Sequence, residues 1–277
     1  MDVFTVNEET CTKCGACADV CHLGIIDFQK NSFPKPFPEI SNQMCSKCSA
    51  CLIVCPNESF IHRDVSYEEC PKIDSTLNIN YEQCTQLLKT RRSVRTFKDT
   101  PVPRDVVLQA IEAARFSPTG NNVQNIQWLI IDDRDMVENL RKAGNEWLII
   151  GLKSTQNLYT PLVDIWEKQI KDGDDIFLRG APAIVSTYIE QDNSIGASMG
   201  AYVCSISLAY FNLAAISLGL ECCWEGFFSV AADTYPPIKD AISLPEEYKI
   251  IGSMVVGYPK YKYKRIPMRN QAQINWR

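Results

Sequence analysis

A chain of 277 residues, 45% hydrophobic and 22% charged, has ordinary globular composition and enough length for one small and one medium domain. Its net charge of −5 lacks the basic footprint of a nucleic-acid binder, so nucleic acid is not an expected partner. Thirteen cysteines are the largest departure from average usage, and eight fall within the first 55 residues. The opening Met1-Asp2-Val3-Phe4 shows no basic segment leading into an apolar run. A cytoplasmic location is therefore expected, and with it cysteines that bind metal rather than pair as disulfides.

Residues 1–62 hold two copies of one pattern. Cys11-x-x-Cys14-x-x-Cys17-x-x-x-Cys21 is followed by Cys45-x-x-Cys48-x-x-Cys51-x-x-x-Cys55-Pro56. Each copy leads into a short run, Leu23-Gly24-Ile25-Ile26 and Glu58-Ser59-Phe60-Ile61, as an internal duplication would. The stretch from Asn31 to Glu39 between them, rich in proline and phenylalanine, reads as an irregular loop. Structural zinc sites usually join two C-x-x-C elements with two ligands each, and three cysteines in seven residues fit that poorly. A cubane iron–sulfur cluster takes three thiolates from one such loop and a fourth from elsewhere. In two-cluster ferredoxins the fourth cysteine of each run ligates the other cluster. One cluster is then expected on Cys11, Cys14, Cys17 and Cys55, and the other on Cys45, Cys48, Cys51 and Cys21. Residues 1–62 thus resemble a bacterial-type ferredoxin with two 4Fe–4S clusters, which implies one-electron carriage at low potential. His22 stands where the second run has Pro56.

Residues 63–84 are polar and mixed in charge, and are read as a linker before a second domain over 85–277. That domain alternates helical and strand signals. Val106, Val107, Ala110, Ile111 and Ala114 follow Pro103 at helical spacing, and Ser117 to Asn122 makes a turn. Trp128–Ile131 reads as a strand, Met136–Ala143 as a helix, and Trp147–Ile170 as a further helical region. Ala183–Tyr188 is another strand. Two β-rich runs, Leu220–Phe228 and Ile250–Gly257, flank a helical piece near Val230–Ile242, and a basic tail from Tyr258 is expected to lie extended. From Asn193 to Leu220 there is no charged residue, long enough to span a bilayer. Interspersed serines and glycines, and the absence of flanking basic clusters, favour a helix buried on most sides in a core or subunit interface. No membrane is expected as a partner.

The segment Thr90-Arg91-Arg92-Ser93-Val94-Arg95-Thr96-Phe97 places three arginines and a serine in an acidic chain. Guanidinium groups offer paired donors and a permanent charge, which suit a phosphate; a solvated basic turn is the plainer alternative. No G-x-G-x-x-G follows a strand and no P-loop occurs, so neither a Rossmann site nor a nucleotide-triphosphate site is expected. A flavin mononucleotide needs less: cations for phosphate, polar groups at the ring edge, a backbone donor near N5. Arg91-Arg92-Ser93-Val94-Arg95, the turn Pro118-Thr119-Gly120-Asn121-Asn122-Val123-Gln124, Trp224-Glu225-Gly226, and the late cations Lys262, Lys264 and Arg265 supply these parts.

In that order the motifs resemble the nitroreductase family of FMN enzymes, over about residues 86–270. The opening R-R-S-x-R-x-F-like segment is matched by Arg91 to Phe97, and the P-S/T-G-x-N-x-Q-P turn by Pro118 to Gln124. The glutamate–glycine pair near flavin N5 is matched by Glu225-Gly226, and the closing cations before a proline by Lys264-Arg265-Ile266-Pro267. Asn125 replaces the usual proline after Gln124. The resemblance implies an α+β fold, with the small ferredoxin-type domain preceding a nitroreductase-like FMN domain. It implies a homodimer with FMN at the interface, which would give the uncharged helix its twin as a partner. Cofactor contacts fall to Arg91, Arg92, Ser93, Arg95, Pro118, Thr119, Gly120, Asn122, Gln124, Trp224, Glu225, Gly226, Lys264 and Arg265. No side-chain acid or base is named as catalytic, since His22 and His62 lie outside this domain. The expected activity is reduction of a nitroaromatic, quinone or flavin-like acceptor, with a ferredoxin-like protein or NAD(P)H as donor. A reductive dehalogenase-like reaction and a non-catalytic electron relay remain alternatives. Cys70, Cys84, Cys204, Cys222 and Cys223 lack ligand spacing; Cys222-Cys223 reads better as a buried strand than as a metal or disulfide pair.

Overall fold

The computed structural model describes residues 2–154, 158–190 and 195–277, with side chains from 199 onward in the last span. It divides into two compact units: residues 1–78 with 121–123, and 79–120 with 124–277.

The first unit is built from short elements. In chain order they are β1 (Phe4–Val6), α1 (Ala16–Asp19), β2 (Ile26–Asp27), β3 (Lys35–Pro36), α2 (Ile40–Met44), α3 (Ala50–Ile53) and β4 (Phe60–His62). β1 pairs antiparallel with β4, Phe4 opposite His62, and β2 pairs with β3. A small core of Val3, Phe4, Ile26, Leu52 and Phe60 lies between the cysteine runs, with the Phe4 and Phe60 rings stacked at 4.5 Å. The span 63–84 is not uniform connecting chain. Val65, Tyr67 and Cys70 pack on this core, short 3-10 turns form at Tyr67–Glu69 and Ser75–Leu77, and the next helix starts at Tyr81.

The second unit contains α4 (Tyr81–Thr90), α5 (Arg104–Ala114), β5 (Gln127–Ile131), α6 (Arg134–Ser154), α7 (Val163–Lys171), β6 (Ala183–Glu190), α8 (Ile195–Ser217), β7 (Glu221–Trp224), α9 (Gly226–Thr234), α10 (Pro236–Ile242) and β8 (Tyr248–Gly257). The sheet runs β5-β6-β8-β7, every pair antiparallel, with a register shift at Thr187/Tyr188. α4 starts at a reciprocal cap in which Asn80 and Gln83 side chains each accept the other's backbone N–H, at 2.8 and 3.0 Å. α8 ends where Gly219 turns left-handed (φ 81°) and Leu220 N–H returns to the Ala215 carbonyl.

Three expectations change. The helix over Met136–Ala143 runs without a break to Ser154, absorbing Trp147; residues 155–157, inside the expected Trp147–Ile170 helix, lie outside the described residues. The strand after Leu220 stops at Trp224, because Gly226 opens α9 and Phe228 faces the core. The uncharged helix is buried on one side only. Val203, Cys204, Ser207, Leu208, Phe211, Asn212 and Ala215 are covered, whereas Met199, Tyr202, Ile206 and Tyr210 are exposed along the opposite face. The expected helix start at Asn193 and Ser194 lies outside the described residues. Met199–Ser217 is long and apolar enough to cross a membrane by length and composition. Its covered side packs on α5, β6 and β8.

Candidate functional sites

The cysteine runs share one backbone device. Within the first, Lys13 (φ 60°) and Gly15 (φ 81°) bracket Cys14; within the second, Lys47 (φ 52°) and Ser49 (φ 62°) bracket Cys48. Left-handed residues between right-handed ones turn successive amides inward, a concave arrangement suited to an anionic iron–sulfur core. One-turn helices α1 and α3 then bring in Cys17 and Cys51. The strain differs between the copies. A Cβ on Gly15 would lie 2.5 Å from the Phe28 ring, so both its φ and its surroundings require glycine.

Two cavities result. One is lined by Cys11, Cys14, Cys17 and Cys55, the other by Cys21, Cys45, Cys48 and Cys51. Each lining draws its fourth cysteine from the other run. No cysteine forms a disulfide. Among the described residues no three candidate ligands converge closely enough for a single metal ion. Four thiolates around each cavity are the donor set of a four-iron cubane, which spaces its thiolates farther apart than a single ion does. Burial pushes Cys17 up to about 11 and Cys51 up to about 12. Cys55 is the exception. Burial pushes it up too, but the backbone amides of Asn57, Ser59 and Phe60 outweigh this and lower it, Ser59 N–H donating to its sulfur at 3.2 Å. A bound metal would hold all eight as thiolates.

In the second unit, the segment after α4 is pinned on both sides. Val94 N–H donates to the Cys222 carbonyl, Lys98 N–H to Tyr258, and Lys260 N–H to Thr96. Val94 is buried, which turns its neighbours Ser93 and Arg95 the other way along the extended chain. The result is two groups of charges. Arg91 lies beside Glu221, opposing the upward push that burial gives this carboxyl. Thr90, Arg91, Glu221, Tyr261, Lys262 and Tyr263 line one cavity, with Arg92 over the Tyr263 ring at 5.6 Å.

The second group surrounds the end of β7. Cys223, buried, is raised by desolvation and sits near Arg95, Glu225, Arg179 and the Ser93 hydroxyl. Glu225 is 5% exposed; burial pushes its carboxyl up to about 7, against Arg179, the Phe227 amide and Arg95, while Asp175 adds to the rise. The Glu225 backbone N–H donates to the Ser253 carbonyl at 2.8 Å. β7 thus continues one bond further along β8 and uses that donor, which leaves Gly226 as the other backbone donor of the expected Glu225-Gly226 pair. Gly226 opens α9, where a backbone N–H has no acceptor within the helix, so it is the donor available there. Trp224 is partly exposed and its ring lies against Gly252, where a Cβ would stand 3.0 Å away.

Arg179 and Asp175 were not legible in the sequence. Arg179 adopts φ 61°, and the loop is held by Asp175, whose carboxylate accepts N–H bonds from Phe177, Leu178 and Gly180 at 3.1, 2.8 and 2.9 Å. Three donors on one half-buried acceptor can be found only once the loop is folded. The turn Pro118–Gln124 gathers its bonds elsewhere. Asn121, Asn122 and Gln124 are all left-handed, and Gln124 N–H donates to Thr119 Oγ1 at 3.1 Å. Asn122 falls within the first unit, its amide donating to the Ser46 and Lys47 carbonyls at 3.1 and 3.2 Å. Pro118 and Gly120 are exposed, as are Lys264 and Arg265 in the extended tail.

Residues 88–258 match the Nitroreductase family, and residues 10–59 match the 4Fe-4S dicluster domain family. A putative NADH dehydrogenase/NAD(P)H nitroreductase of Methanothermobacter thermautotrophicus is 26% identical over 63% of this chain and 76% of its own. A 4-nitrobenzoate reductase of Nocardioides sp. is 23% identical over 62% of this chain and 78% of its own. The solved nitroreductase with bound FMN from Desulfitobacterium hafniense overlays with a TM-score of 0.56 at 19% identity, over 72% of this chain and 99% of that one. With its helix-flanked antiparallel sheet and the family match spanning most of the second unit, this chain belongs to the nitroreductase family of oxidoreductases, and carries a 4Fe-4S dicluster domain at its N-terminal end.

Proposed function

We propose that the chain is an FMN enzyme that reduces a nitroaromatic, quinone or flavin-like acceptor with electrons carried through two 4Fe–4S clusters. The observation that supports this most is the cross-lining of two separate cavities by four cysteines each, in a chain whose second unit is of the nitroreductase family. Such clusters move electrons singly, which suits a ferredoxin-like donor better than a direct hydride donor.

FMN supplies the ring chemistry when bound, and the protein positions it. Arg91, Ser93, Arg95 and the tail cations Lys264 and Arg265 are the groups to bind phosphate and ribityl. Arg92 adds little, since it rests on Tyr263. Gly226 N–H, at the opening of α9, would be the donor offered to the ring edge. Glu225, its carboxyl pushed up to about 7 near Arg179 and Arg95, would hold or release a proton at that carboxyl. The exposed uncharged face of α8, Met199-Tyr202-Ile206-Tyr210, supports pairing with a second copy.

Anaerobic stopped-flow of the reduced holoenzyme tests the reading. Flavin reoxidation by a nitroarene or quinone within a turnover is expected. Reoxidation by a protein acceptor alone would instead make the chain an electron relay.

A further inference from the structure

The two cysteine cavities are related by the internal duplication, but their surroundings are not. In the register of the cysteine runs, which sets Cys21 with Cys55 and His22 with Pro56, Phe28 stands opposite His62. Phe28 is half-buried and its side chain has no N–H to donate; His62 is buried, at 7% exposure, on β4. Its Nε2 lies 3.4 Å from the Cys45 sulfur. The other ring nitrogen decides which way that contact runs. Asp64 backbone N–H donates to Nδ1 at 3.0 Å, so Nδ1 must offer its lone pair and the ring proton resides on Nε2. The histidine is therefore an N–H donor to sulfur. Among the described residues, the cavity lined by Cys11, Cys14, Cys17 and Cys55 receives a main-chain donor, Ser59 N–H to Cys55.

We propose that His62 is a positioning residue that raises the reduction potential of the cluster held by Cys21, Cys45, Cys48 and Cys51, and so makes the two clusters of the duplication electronically unequal. The inference rests on the two-cluster reading above. An added electron spreads onto the ligand sulfurs, so a hydrogen bond to one of them strengthens on reduction and favours the reduced state. The Asp64 amide fixes the tautomer, and packing under the β1–β4 ladder fixes the ring. Removing this donor makes that cluster harder to reduce. The other cluster keeps its backbone donor and serves as the internal reference.

The test is an EPR-monitored redox titration of the anaerobically purified full chain, comparing wild type with His62→Phe and His62→Gln. Phenylalanine keeps an apolar ring and removes the donor; glutamine returns an N–H near the Nε2 position. For His62→Phe, one of two couples is expected to lose about tenfold in its reduction equilibrium, about 59 mV for a one-electron couple. The second couple stays in place, and His62→Gln restores most of the shift. Unchanged couples, or both moving together, would overturn the proposal. If His62→Phe assembles fewer than two clusters, the wild-type ring is read directly. The chain has two histidines, so ¹⁵N-histidine labelling in a His22→Asn background reports His62 alone. A ¹⁵N hyperfine coupling on one reduced cluster supports the donor role; no coupling on either refutes it. Wild-type protein with fewer than two clusters by iron count would remove the cluster reading itself, and this inference with it.

Discussion

Glu225 makes the second unit's stability depend on pH in a direction set by its burial. Its carboxyl has an ordinary value of 4.5 and is pushed up to about 7 in the folded chain, desolvation outweighing Arg179 and Arg95. Between those values the folded protein keeps a proton that the unfolded chain releases, so raising the pH favours unfolding. The stabilisation is fully present below 4.5 and is lost as pH rises through about 7. At 1.36 kcal/mol per pH unit, the loss between roughly pH 5 and pH 8 is about 2.5 kcal/mol. Glu225→Gln keeps a neutral group of the same shape and removes the titration. All five tryptophans lie between positions 128 and 276, so their fluorescence reports unfolding of the second unit alone. Urea unfolding at matched FMN loading is expected to show wild type losing about 2.5 kcal/mol relative to Glu225→Gln across that range. Asp175, raised in the same direction, is common to both proteins and cancels. Parallel pH profiles for the two proteins would refute the burial reasoning.

Other consequences follow from the same geometry. Cys21→Ser is expected to empty the site of Cys45, Cys48 and Cys51 rather than that of its own run, with EPR showing the loss of one cluster signal and the iron content halved. Gly15→Ala places a methyl 2.5 Å from the Phe28 ring at a left-handed φ. A cost of about 2–4 kcal/mol, from backbone strain plus overpacking, should appear as selective loss of the cluster on Cys11, Cys14, Cys17 and Cys55 on mild heating. Arg91→Ala should weaken FMN binding by about 10–100-fold, the worth of a charged hydrogen bond, whereas Arg92→Ala should cost less than about 1 kcal/mol; fluorescence titration of the apoprotein separates them. Asp175→Ala leaves the Leu178 and Gly180 N–H groups without their acceptor, while Phe177 N–H keeps Asn145 Oδ1 at 3.0 Å, and should cost about 2 kcal/mol in the same tryptophan-monitored unfolding.

The parts of this molecule legible in its sequence are those where spacing alone carries chemistry. Two C-x-x-C-x-x-C-x-x-x-C runs fold into two cavities whose cysteines sort as the ligand-crossing pattern requires. The α5, β5, β6 and β8 elements stand where periodicity puts them, because their apolar faces meet one sheet. What was not legible depends on long-range placement. Asp175 and Arg179 come to surround Glu225 and the neutral Cys223 thiol only when β7, β8 and the 175–180 loop are assembled. That the Glu225 amide is taken up by the β7–β8 ladder depends on the same assembly. His62 carried no signal at all, since its role comes from a strand pairing that sets it beside Cys45. The helical stretch after Trp224 reads as strand in the sequence because Phe227 and Phe228 are apolar and aromatic, and only Gly226 marks the change of period.

The most direct test of the central claim is composition. Iron, acid-labile sulfide, zinc and flavin are measured per chain in protein purified without oxygen, with an absorption spectrum of the same sample. The account predicts about eight irons, about eight sulfides and one FMN per chain, with flavin bands over a broad brown charge-transfer shoulder that bleaches on reduction. Zinc in place of iron, or iron without flavin, would contradict it.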